Sequence, residues 1–417
     1  MEDKELAIAF QYFQQKGWKP FEFQVNTWKD FLQGKSGMLN APTGSGKTFA
    51  LWFPVILDYI HQHPIDWQKP RKNGTQLIWV TPLRALALDI QKAMQEVCTS
   101  IGLPWQVAVR NGDTDAKQRQ AQKRNPPECL ITTPETLQIL LAQKENQKIF
   151  RDAKAIVIDE WHELMGNKRG VQVQLALAYI KSICPQNFRL WGISATIGNL
   201  EESCRILLGN KLPVHLVRAD VQKNIQLYTV YPDELEKYPW SGHLGLKLID
   251  KIIPIIEAHQ SLLIFTNTRA QTEIWYHHIM SIRPDWAGLV ALHHGSLDQS
   301  VRSWVENALN AGKLKVVVCT SSLDLGVDFR PVDAVIQIGS PKGVARFVQR
   351  AGRAGHQPGL PSKIYFVPTH SLELLEAAAL RSAVEKEEME SIHAPTLTYD
   401  VLIQFLITLA VGDGLRP

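Results

Sequence analysis

One stretch decides the fold of this chain: GMLNAPTGSGKTFALWFPVILDYI, residues 37–60. A short apolar strand leads into a glycine-rich loop, and an apolar helical run follows the loop. In this context backbone N–H groups and a helix N-terminus face the phosphates of a bound nucleotide. The stretch therefore predicts a phosphate-binding loop within an α/β domain.

The loop residues predict ATP and Mg²⁺ as cofactors. The residues expected to hold the phosphates are Thr43, Gly44, Ser45, Gly46, Lys47 and Thr48. Lys47 would reach the β- and γ-phosphates, and the Thr48 hydroxyl would bind Mg²⁺. The strict pattern begins with Gly, whereas this chain has Ala41.

Apolar, β-branched runs recur along the chain, and helical stretches alternate with them. They fall at 36–42, 76–82, 106–110, 129–135, 155–160 and 190–196, and again at 225–232, 261–268, 288–294, 315–322, 333–340 and 363–368. Such near-continuous apolar strands indicate parallel sheets covered on both faces. We predict two α/β domains in tandem, 1–208 and 218–370.

The remaining segment, 371–417, has a different pattern. It contains a helical stretch and then a linker that enters another helix, whose apolar face is Val401, Leu402, Phe405, Leu406 and Leu409. We expect this last helix to begin a third domain that continues past Pro417. The alternative is a helix that docks on the core.

The bulk composition is that of a soluble protein. The chain has 417 residues, of which 45% are hydrophobic and 21% charged, and its net charge of +4 permits a polyanionic partner without requiring one. No apolar run approaches the ~18–20 residues of a membrane span, and the acidic start is unlike a signal peptide. The five scattered cysteines lack a C-x-x-C pair, so we expect no zinc site or iron–sulfur cluster and a cytoplasmic location.

Acidic residues end the fifth run, where Asp159-Glu160-Trp161-His162 follows AIVI. A carboxylate at the tip of such a strand can anchor Mg²⁺ beside the phosphate loop. We assign Asp159 to Mg²⁺ and Glu160 to the attacking water. Ser194 and Thr196 end the next run, and we expect their hydroxyls to link His162 and its neighbours to strand binding.

In the second half, Gln349-Arg350-Ala351-Gly352-Arg353-Ala354-Gly355-His356 pairs guanidinium groups with glycines. An arginine supplied by a neighbouring domain stabilises the transition state of phosphoryl transfer. Arg353 is the candidate, with Gln349 beside it. Upstream, we expect Ser322, Asp324, Gly326 and Asp328 to close over the nucleotide sugar and the strand backbone.

The order of these motifs resembles that of superfamily-2 helicases from end to end. The further motifs that carry the resemblance are GWKPFEFQ (17–24), TPLRAL (81–86), TTPETL (132–137), IFTNTR (264–269) and HHGS (293–296). DEWHELMGNKRGVQ (159–172) and WGISATIGNL (191–200) resemble the Lhr-type group, in particular the bacterial ligase-associated DEXH-box helicases. Members of that group are about twice as long and continue through a winged helix.

The resemblance implies two RecA-like domains that close on one ATP, followed by the start of a winged-helix domain. It implies that Gln24 hydrogen-bonds the adenine edge and that Trp18 or Phe21 stacks on the ring. The last motif usually ends G-R-x-G-R, whereas position 356 is His. This departure places more of the catalytic role on Arg353.

The resemblance also implies that both domains hold a single strand by its sugar–phosphate backbone. The residues expected to touch the strand are Arg84, Thr133, Thr136, Thr268, Arg269, Ser296, Thr320 and Ser321. Contacts of this kind position a strand without reading its sequence. A capping role is an equal alternative for each Ser or Thr, and a surface ion pair is an alternative for each Arg.

The function expected is that of an ATP-dependent DNA helicase or translocase. By family resemblance it would move 3′ to 5′ on single-stranded DNA, from the 3′ tail of a partial duplex, and serve DNA repair beside a ligase and a nuclease. One alternative is an RNA helicase. Another is a non-translocating switch that binds nucleic acid when ATP is bound, although such a switch need not keep Lys47, Glu160 and Arg353 together.

Overall fold

The computed structural model describes residues 2–42, 44–185, 187–195, 197–209, 213–220, 224–233, 245–324, 332–355 and 361–414. The chain divides into two compact units. The first comprises Met1–Val221 and Ser391–Pro417, and the second comprises Gln222–Glu390. Each unit contains a parallel sheet with helices, which confirms the predicted fold class.

Among the described residues, the first unit has a seven-stranded parallel sheet in the order β3-β4-β2-β5-β6-β1-β7. Its strands are β1 (Gly37–Asn40), β2 (Leu77–Val80), β3 (Val107–Arg110), β4 (Cys129–Thr132), β5 (Ala155–Ile158), β6 (Arg189–Ser194) and β7 (Leu216–Arg218). Six of them coincide with the predicted apolar runs. The sequence did not predict β7, because this three-residue edge strand lies almost entirely between the predicted domains 1–208 and 218–370.

Helices cover both faces of this sheet. They are α1 (Glu2–Gln15), α2 (Glu22–Leu32), α3 (Lys47–Gln62), α4 (Arg84–Ile101), α5 (Ala116–Arg124), α6 (Pro134–Leu141), α7 (Gln147–Phe150), α8 (Trp161–Met165), α9 (Lys168–Ile183) and α10 (Leu200–Leu208). Successive strand residues point to opposite faces. Leu39 therefore packs in the core that includes α1–α4, and Met38 packs in the core that includes α6–α10.

The second unit, within its described residues, has a six-stranded parallel sheet in the order β10-β11-β9-β12-β13-β8. The strands are β8 (Ile225–Thr229), β9 (Leu262–Phe265), β10 (Val290–His293), β11 (Val316–Cys319), β12 (Ala334–Ile338) and β13 (Ser362–Val367). The helices are α11 (Ile249–Glu257), α12 (Arg269–Ile282), α13 (Gln299–Asn310), α14 (Val344–Ala351) and α15 (Leu372–Glu385), with 3-10 turns at Leu246–Leu248, Pro284–Trp286 and Ser321–Leu323. All six strands match predicted runs.

The C-terminal segment corrects the predicted partition at residue 371. Helix α15 belongs to the second unit, whereas the last helix, α16 (Tyr399–Val411), belongs to the first. Val401, Phe405 and Leu409 are buried there, and the last two join the core formed by α6 and α9. Three of the five apolar residues therefore have a partner in the first unit, while Leu402 and Leu406 stay exposed. That α16 begins a winged-helix domain stays a prediction.

Parallel strands place all their carboxyl ends at one edge of a sheet. In the first unit the phosphate loop follows β1, the acidic residues follow β5, and Ser194 ends β6. The segments with Arg84 and Thr133 follow β2 and β4. The topology therefore gathers the candidate residues along one edge, where ligands of α/β sheets bind. No helix among the described residues is both long and apolar enough to span a membrane.

Candidate nucleotide and nucleic-acid sites

The phosphate loop takes the backbone shape that its glycines permit. Gly44 and Gly46 have φ of 77° and 78°, in the left-handed region that other residues seldom adopt. Ser45 Oγ donates a hydrogen bond to Pro42 O at 2.7 Å, and α3 begins at Lys47. A helix N-terminus thus follows the loop directly, as the phosphate-binding prediction requires. Thr43 lies outside the described residues.

Lys47 and Glu160 form a buried ion pair. Lys47 Nζ lies 3.2 Å from Glu160 Oε1, and both residues are less than a tenth exposed. The strands that precede these two residues, β1 and β5, are separated by β6 in the sheet. The fold therefore brings the predicted phosphate-binding lysine to the predicted water-activating carboxylate.

Asp159 lies beside this pair and has a strongly perturbed environment. Trp79 Nε1 donates to its Oδ2 at 3.2 Å, and the backbone N–H of Glu160 donates to its Oδ1 at 2.9 Å. Burial, together with the charge of Glu160, raises the pKa of Asp159 to about 7. A nearby cation would stabilise the charged form of this carboxylate, which fits the assignment of Asp159 to Mg²⁺.

Thr48 is the second residue predicted to bind Mg²⁺. It lies in the first turn of α3 and is partly exposed, and its hydroxyl makes no hydrogen bond to any residue that the structure describes. Thr48 and Asp159 are therefore the residues that would hold Mg²⁺, and the ion would neutralise phosphate charge there.

The backbone of Glu160 is strained. Its φ of 47° and ψ of 46° lie in the left-handed region, and α8 begins at the next residue, Trp161. For a residue with a Cβ this conformation costs on the order of 1–3 kcal/mol, and it persists where the surrounding structure enforces it. The strain marks the residue that the sequence assigns to catalysis.

His162 connects the acidic residues to the end of β6. Its Nδ1 accepts a hydrogen bond from the backbone N–H of Ala195 at 3.2 Å. Burial lowers the pKa of His162, so the neutral ring carries its proton on Nε2. The coupling stays a prediction, and the contact that could carry it joins the imidazole to a backbone amide.

Ser194 does not make the contact predicted for it. Its hydroxyl donates to Ala195 O at 3.0 Å rather than to the acidic residues. Asn40, at the end of β1, donates to the same carbonyl at 2.8 Å, a contact that no sequence motif indicated. The strand end is held mainly by backbone groups, which explains why side-chain types alone did not predict the link. Thr196 lies outside the described residues.

Gln24 has a different immediate role from the one predicted. Its Oε1 accepts from Phe21 N–H at 2.8 Å, and its Nε2 donates to Gly46 O at 2.9 Å. Gln24 is buried and braces the phosphate loop, so the contact to adenine stays a prediction. The aromatic side chains of Trp18 and Phe21 are 51% and 39% exposed, which leaves surface on which a base could stack.

In the second unit, each guanidinium nitrogen of Arg350 donates a hydrogen bond. Its Nε and Nη2 donate to the two carboxylate oxygens of Asp324 at 2.7 and 3.0 Å, and its Nη1 donates to Gln337 Oε1 at 2.6 Å. Its guanidinium also lies 4.7 Å from the centre of the Phe265 ring. The prediction that Asp324 closes over the nucleotide sugar is therefore corrected, because its carboxylate is buried against Arg350.

Arg353 and Gln349 are placed differently. Arg353 is partly exposed and donates from Nη2 to the backbone carbonyl of Asp324 at 2.9 Å. Gln349 Nε2 is buried and finds no hydrogen-bond acceptor among the described residues. Their catalytic roles stay predictions. Gly326, Asp328 and His356 lie outside the described part of the chain.

The strand-contact candidates of the first unit share the edge with the nucleotide site. Arg84 is exposed and pairs with Asp113 at 2.6 Å. Thr133 caps α6 by accepting from Thr136 N–H, and both threonines are buried. Arg169 was not singled out from the sequence. It links the segments that contain Arg84 and Thr133, because it donates to Glu135 Oε1 at 2.6 Å and to Pro82 O at 2.7 Å.

In the second unit the candidates lie after β9, β10 and β11. Thr268 caps α12 through Gln271 N–H at 3.2 Å, and Arg269 donates to Ser296 Oγ. Thr320 and Ser321 follow β11 and are at least partly exposed. A capping role is thus established for Thr133 and Thr268, and their strand contacts stay predictions.

Two family models match the chain, one in each unit. Residues 21–203 match the DEAD/DEAH box helicase model, and residues 246–357 match the helicase conserved C-terminal domain model. The two matches contain the phosphate loop, the acidic residues and the Gln349–Arg353 motif.

Individual proteins with similar sequences include Lhr-type helicases. The chain is 34% identical to the "ATP-dependent helicase Lhr-Core" of Methanocaldococcus jannaschii, over 92% of this chain and 46% of that protein. It is 30% identical to the "Lhr helicase/ probable uracil glycosylase" of Mycolicibacterium smegmatis, over 97% of this chain and 29% of that protein. The chain thus spans about half, or less, of the length of these relatives.

Among solved structures, the chain is similar to Mycobacterium smegmatis helicase Lhr bound to single-stranded DNA and AMP-PNP. The TM-score is 0.80 and the identity 31%, over 98% of this chain and 52% of that one. The agreement extends over both units and supports two RecA-like domains.

Proposed function

Because the chain belongs to the Lhr-type superfamily-2 helicases, we propose that it is an ATP-dependent DNA helicase or translocase. It couples ATP hydrolysis to movement along single-stranded DNA. The observation that carries the proposal is the Lys47–Glu160 pair beside Asp159. The pair lies at the carboxyl ends of the strands, where the phosphate loop also lies.

The residues of this site divide the work of phosphoryl transfer to water. Lys47 binds the β- and γ-phosphates and in doing so leaves Glu160. The freed carboxylate of Glu160 orients the attacking water and accepts its proton. His162 passes the change to the end of β6 through its bond to Ala195 N–H. Arg353 remains the candidate that stabilises the transition state.

DNA is the preferred partner because the Lhr structure noted above holds single-stranded DNA. Movement from 3′ to 5′ and a role in DNA repair beside a ligase and a nuclease complete the proposal on family resemblance alone. The cytoplasmic location rests on the scattered cysteines.

The test is ATP hydrolysis stimulated by single-stranded DNA or RNA of equal length and sequence. We expect stronger stimulation by DNA, and the Lys47→Ala variant gives the background because it lacks the phosphate-binding ammonium. Stronger stimulation by RNA would favour the RNA helicase alternative.

Strand displacement separates a motor from a nucleotide switch. Partial duplexes with a 3′ or a 5′ tail are offered with ATP, and we expect displacement from the 3′ tail only. A protein that binds strands in the presence of ATP but neither hydrolyses it nor displaces a strand is a switch. Displacement that survives in Glu160→Gln would contradict the proposed role of that carboxylate.

A further inference from the structure

His293 is a buried histidine that the proposed mechanism does not use. It is the last residue of β10 and is 1% exposed. Its Nδ1 lies 2.8 Å from Ser322 Oγ, and its Nε2 lies 3.1 Å from Glu306 Oε1. Glu306 belongs to α13, and Ser322 belongs to the turn that follows β11. One imidazole therefore joins a helix to a loop of the second unit.

The backbone of His293 binds the same loop. Strands β10 and β11 are parallel neighbours, and His293 lies opposite Cys319 in the register. Thr320 N–H donates to His293 O at 3.2 Å, and Ser322 Oγ lies 3.0 Å from the same carbonyl. The segment Thr320–Ser322 is thus bound to His293 through both the ring and the carbonyl.

The carboxylate of Glu306 decides how the ring binds Ser322. A carboxylate only accepts hydrogen bonds, so a neutral His293 carries its proton on Nε2 and Nδ1 is an acceptor. The hydroxyl of Ser322 then has two acceptors, Nδ1 and His293 O, and both belong to the same residue. The contact on α13 therefore prepares the contact on the loop.

The far end of the loop has supports of its own. Leu323 is fully buried in the core of the second unit, and Asp324 is held by the bidentate ion pair described above. Thr320 and Ser321, the candidates for touching the strand, precede these supports and are at least partly exposed. The bonds to the histidine are what fix the first half of the loop.

The next residue, His294, is also buried but does not bridge two elements in this way. Its Nδ1 accepts from Ser296 N–H at 3.3 Å, within its own loop. Its Nε2 lies 3.6 Å from Glu273 Oε1, which is too long for a hydrogen bond. The two neighbours therefore differ, and only the His293 ring hydrogen-bonds a second element at each nitrogen in the part of the chain that the structure describes.

We propose that His293 is a positioning residue, which orders the Thr320–Ser322 loop for strand binding by bridging Glu306 and Ser322. The inference rests on the proposed function and deepens it. A loop that is already ordered loses less conformational freedom when a ligand binds. His293 itself is too deeply buried to touch a strand, so its effect on binding passes through Ser322.

Two substitutions separate the two halves of the bridge. The amide of His293→Asn falls near the position of Nδ1 and keeps the bond to Ser322. The amide of His293→Gln falls near the position of Nε2 and keeps the bond to Glu306 instead. ATP hydrolysis is measured against the concentration of a single-stranded DNA oligonucleotide, which gives the half-saturating concentration and the rate at saturation.

We expect His293→Gln to raise the half-saturating oligonucleotide concentration about fivefold, as for one lost hydrogen bond. His293→Asn should stay within about twofold of the wild type, because it keeps that bond. The rate at saturating oligonucleotide should change little in both variants, since the loss concerns strand binding.

Thermal unfolding shows whether the histidine only fills space. Glutamine fills the buried position better than asparagine, so His293→Gln should be at least as stable as His293→Asn. A purely structural role predicts that strand dependence follows this order of stability. The proposal predicts the opposite order. Equal strand dependence in the two variants, or a weaker one in His293→Asn, would overturn it.

Ser322→Ala removes the same bond from the loop side and keeps the test decisive if the histidine variants fail to fold. It should raise the half-saturating concentration about fivefold as well. Combined with His293→Gln it should add no further loss, because both changes remove one interaction. A wild-type value in Ser322→Ala, or additive effects in the double variant, would overturn the proposal. Wild-type hydrolysis that no single strand stimulates would instead refute the proposed function.

Discussion

The two units each bury a cation against a carboxylate, but they do so in different ways. In the first unit Lys47 touches Glu160 through one contact of 3.2 Å, next to Asp159 with its raised pKa. In the second unit Arg350 binds Asp324 through two contacts of 2.7 and 3.0 Å. Gln337 and Phe265 complete its surroundings.

The difference shows which pair can exchange partners. A single contact between a flexible ammonium and a carboxylate is readily replaced by a phosphate that offers more oxygens. A bidentate guanidinium pair with a third acceptor and an aromatic face has its geometry fixed. The first pair is therefore suited to chemistry, and the second is a support for the motif that contains Arg353.

Glu160→Gln should have the largest effect. The amide cannot accept a proton, so we expect stimulated ATP hydrolysis to fall by about 10²–10⁴-fold while nucleotide binding persists. Phosphate release and binding of a fluorescent ATP analogue measure the two quantities. Glu163→Gln is the matched control, because Glu163 lies in the helix that follows Glu160 and its carboxylate is 3.8 Å from His162 Nε2. A loss smaller than tenfold would contradict the assignment.

Arg350→Ala should cost the second unit about 3–5 kcal/mol of unfolding free energy, because the buried Asp324 loses its bidentate partner and keeps only the longer contact to the partly exposed Arg346. Arg346→Ala is the control, since its Nε lies 3.6 Å from the same carboxylate but its side chain is 38% exposed. We expect the control to change the unfolding free energy by less than about 1 kcal/mol. Hydrogen exchange of β9 and β12 amides localises the effect. Equal losses in the two variants would remove the distinction between the pairs.

The pH dependence of the first unit should include a contribution from His162. Burial depresses its folded pKa below the unfolded value, so the unfolded state binds more protons. The stabilisation is complete above the unfolded pKa of about 6.5 and is lost as pH falls below it. The wild-type unfolding free energy should therefore fall more steeply from pH 7 to 5 than that of His162→Gln, by at most about 1.4 kcal/mol per pH unit. Parallel pH profiles would exclude this role.

Asp113→Asn should have the smallest effect on stability. Its pair with Arg84 is exposed on both sides, so the unfolding free energy should change by less than about 1 kcal/mol. The variant removes the carboxylate that pairs with Arg84, a residue expected to touch the strand. We therefore expect oligonucleotide affinity to rise roughly two- to fivefold, measured by anisotropy at low salt. A loss of affinity would show that Asp113 orients Arg84 for binding.

Much of the fold could be predicted because its signals are local. Twelve of the strands follow from apolar runs. The phosphate loop follows from glycines whose positive φ the structure confirms at Gly44 and Gly46. Strand β7 was missed because three residues at a sheet edge have too little apolar pattern to be distinguished from a loop.

The candidate site was predicted in its residue types and only partly in its contacts. Lys47, Asp159 and Glu160 meet as expected. Gln24 instead braces the loop at Gly46, and the link from His162 ends on a backbone amide. Such partners depend on which chain atoms happen to lie nearby, and no spacing in the sequence encodes that.

By itself, the sequence determined the order of most strands and helices, the phosphate loop and the candidates for the catalytic groups, since these depend on periodicity and on residue chemistry. Only the tertiary structure decided which buried charges have partners. Arg350 in α14 and Arg110 at the end of β3 are both buried, yet the first binds Asp324 and the second meets no carboxylate in the part of the chain that the structure describes. The tertiary structure also decided that α16 packs on the first unit. Burial and pairing depend on residues far apart in the chain, and only folding brings those residues together.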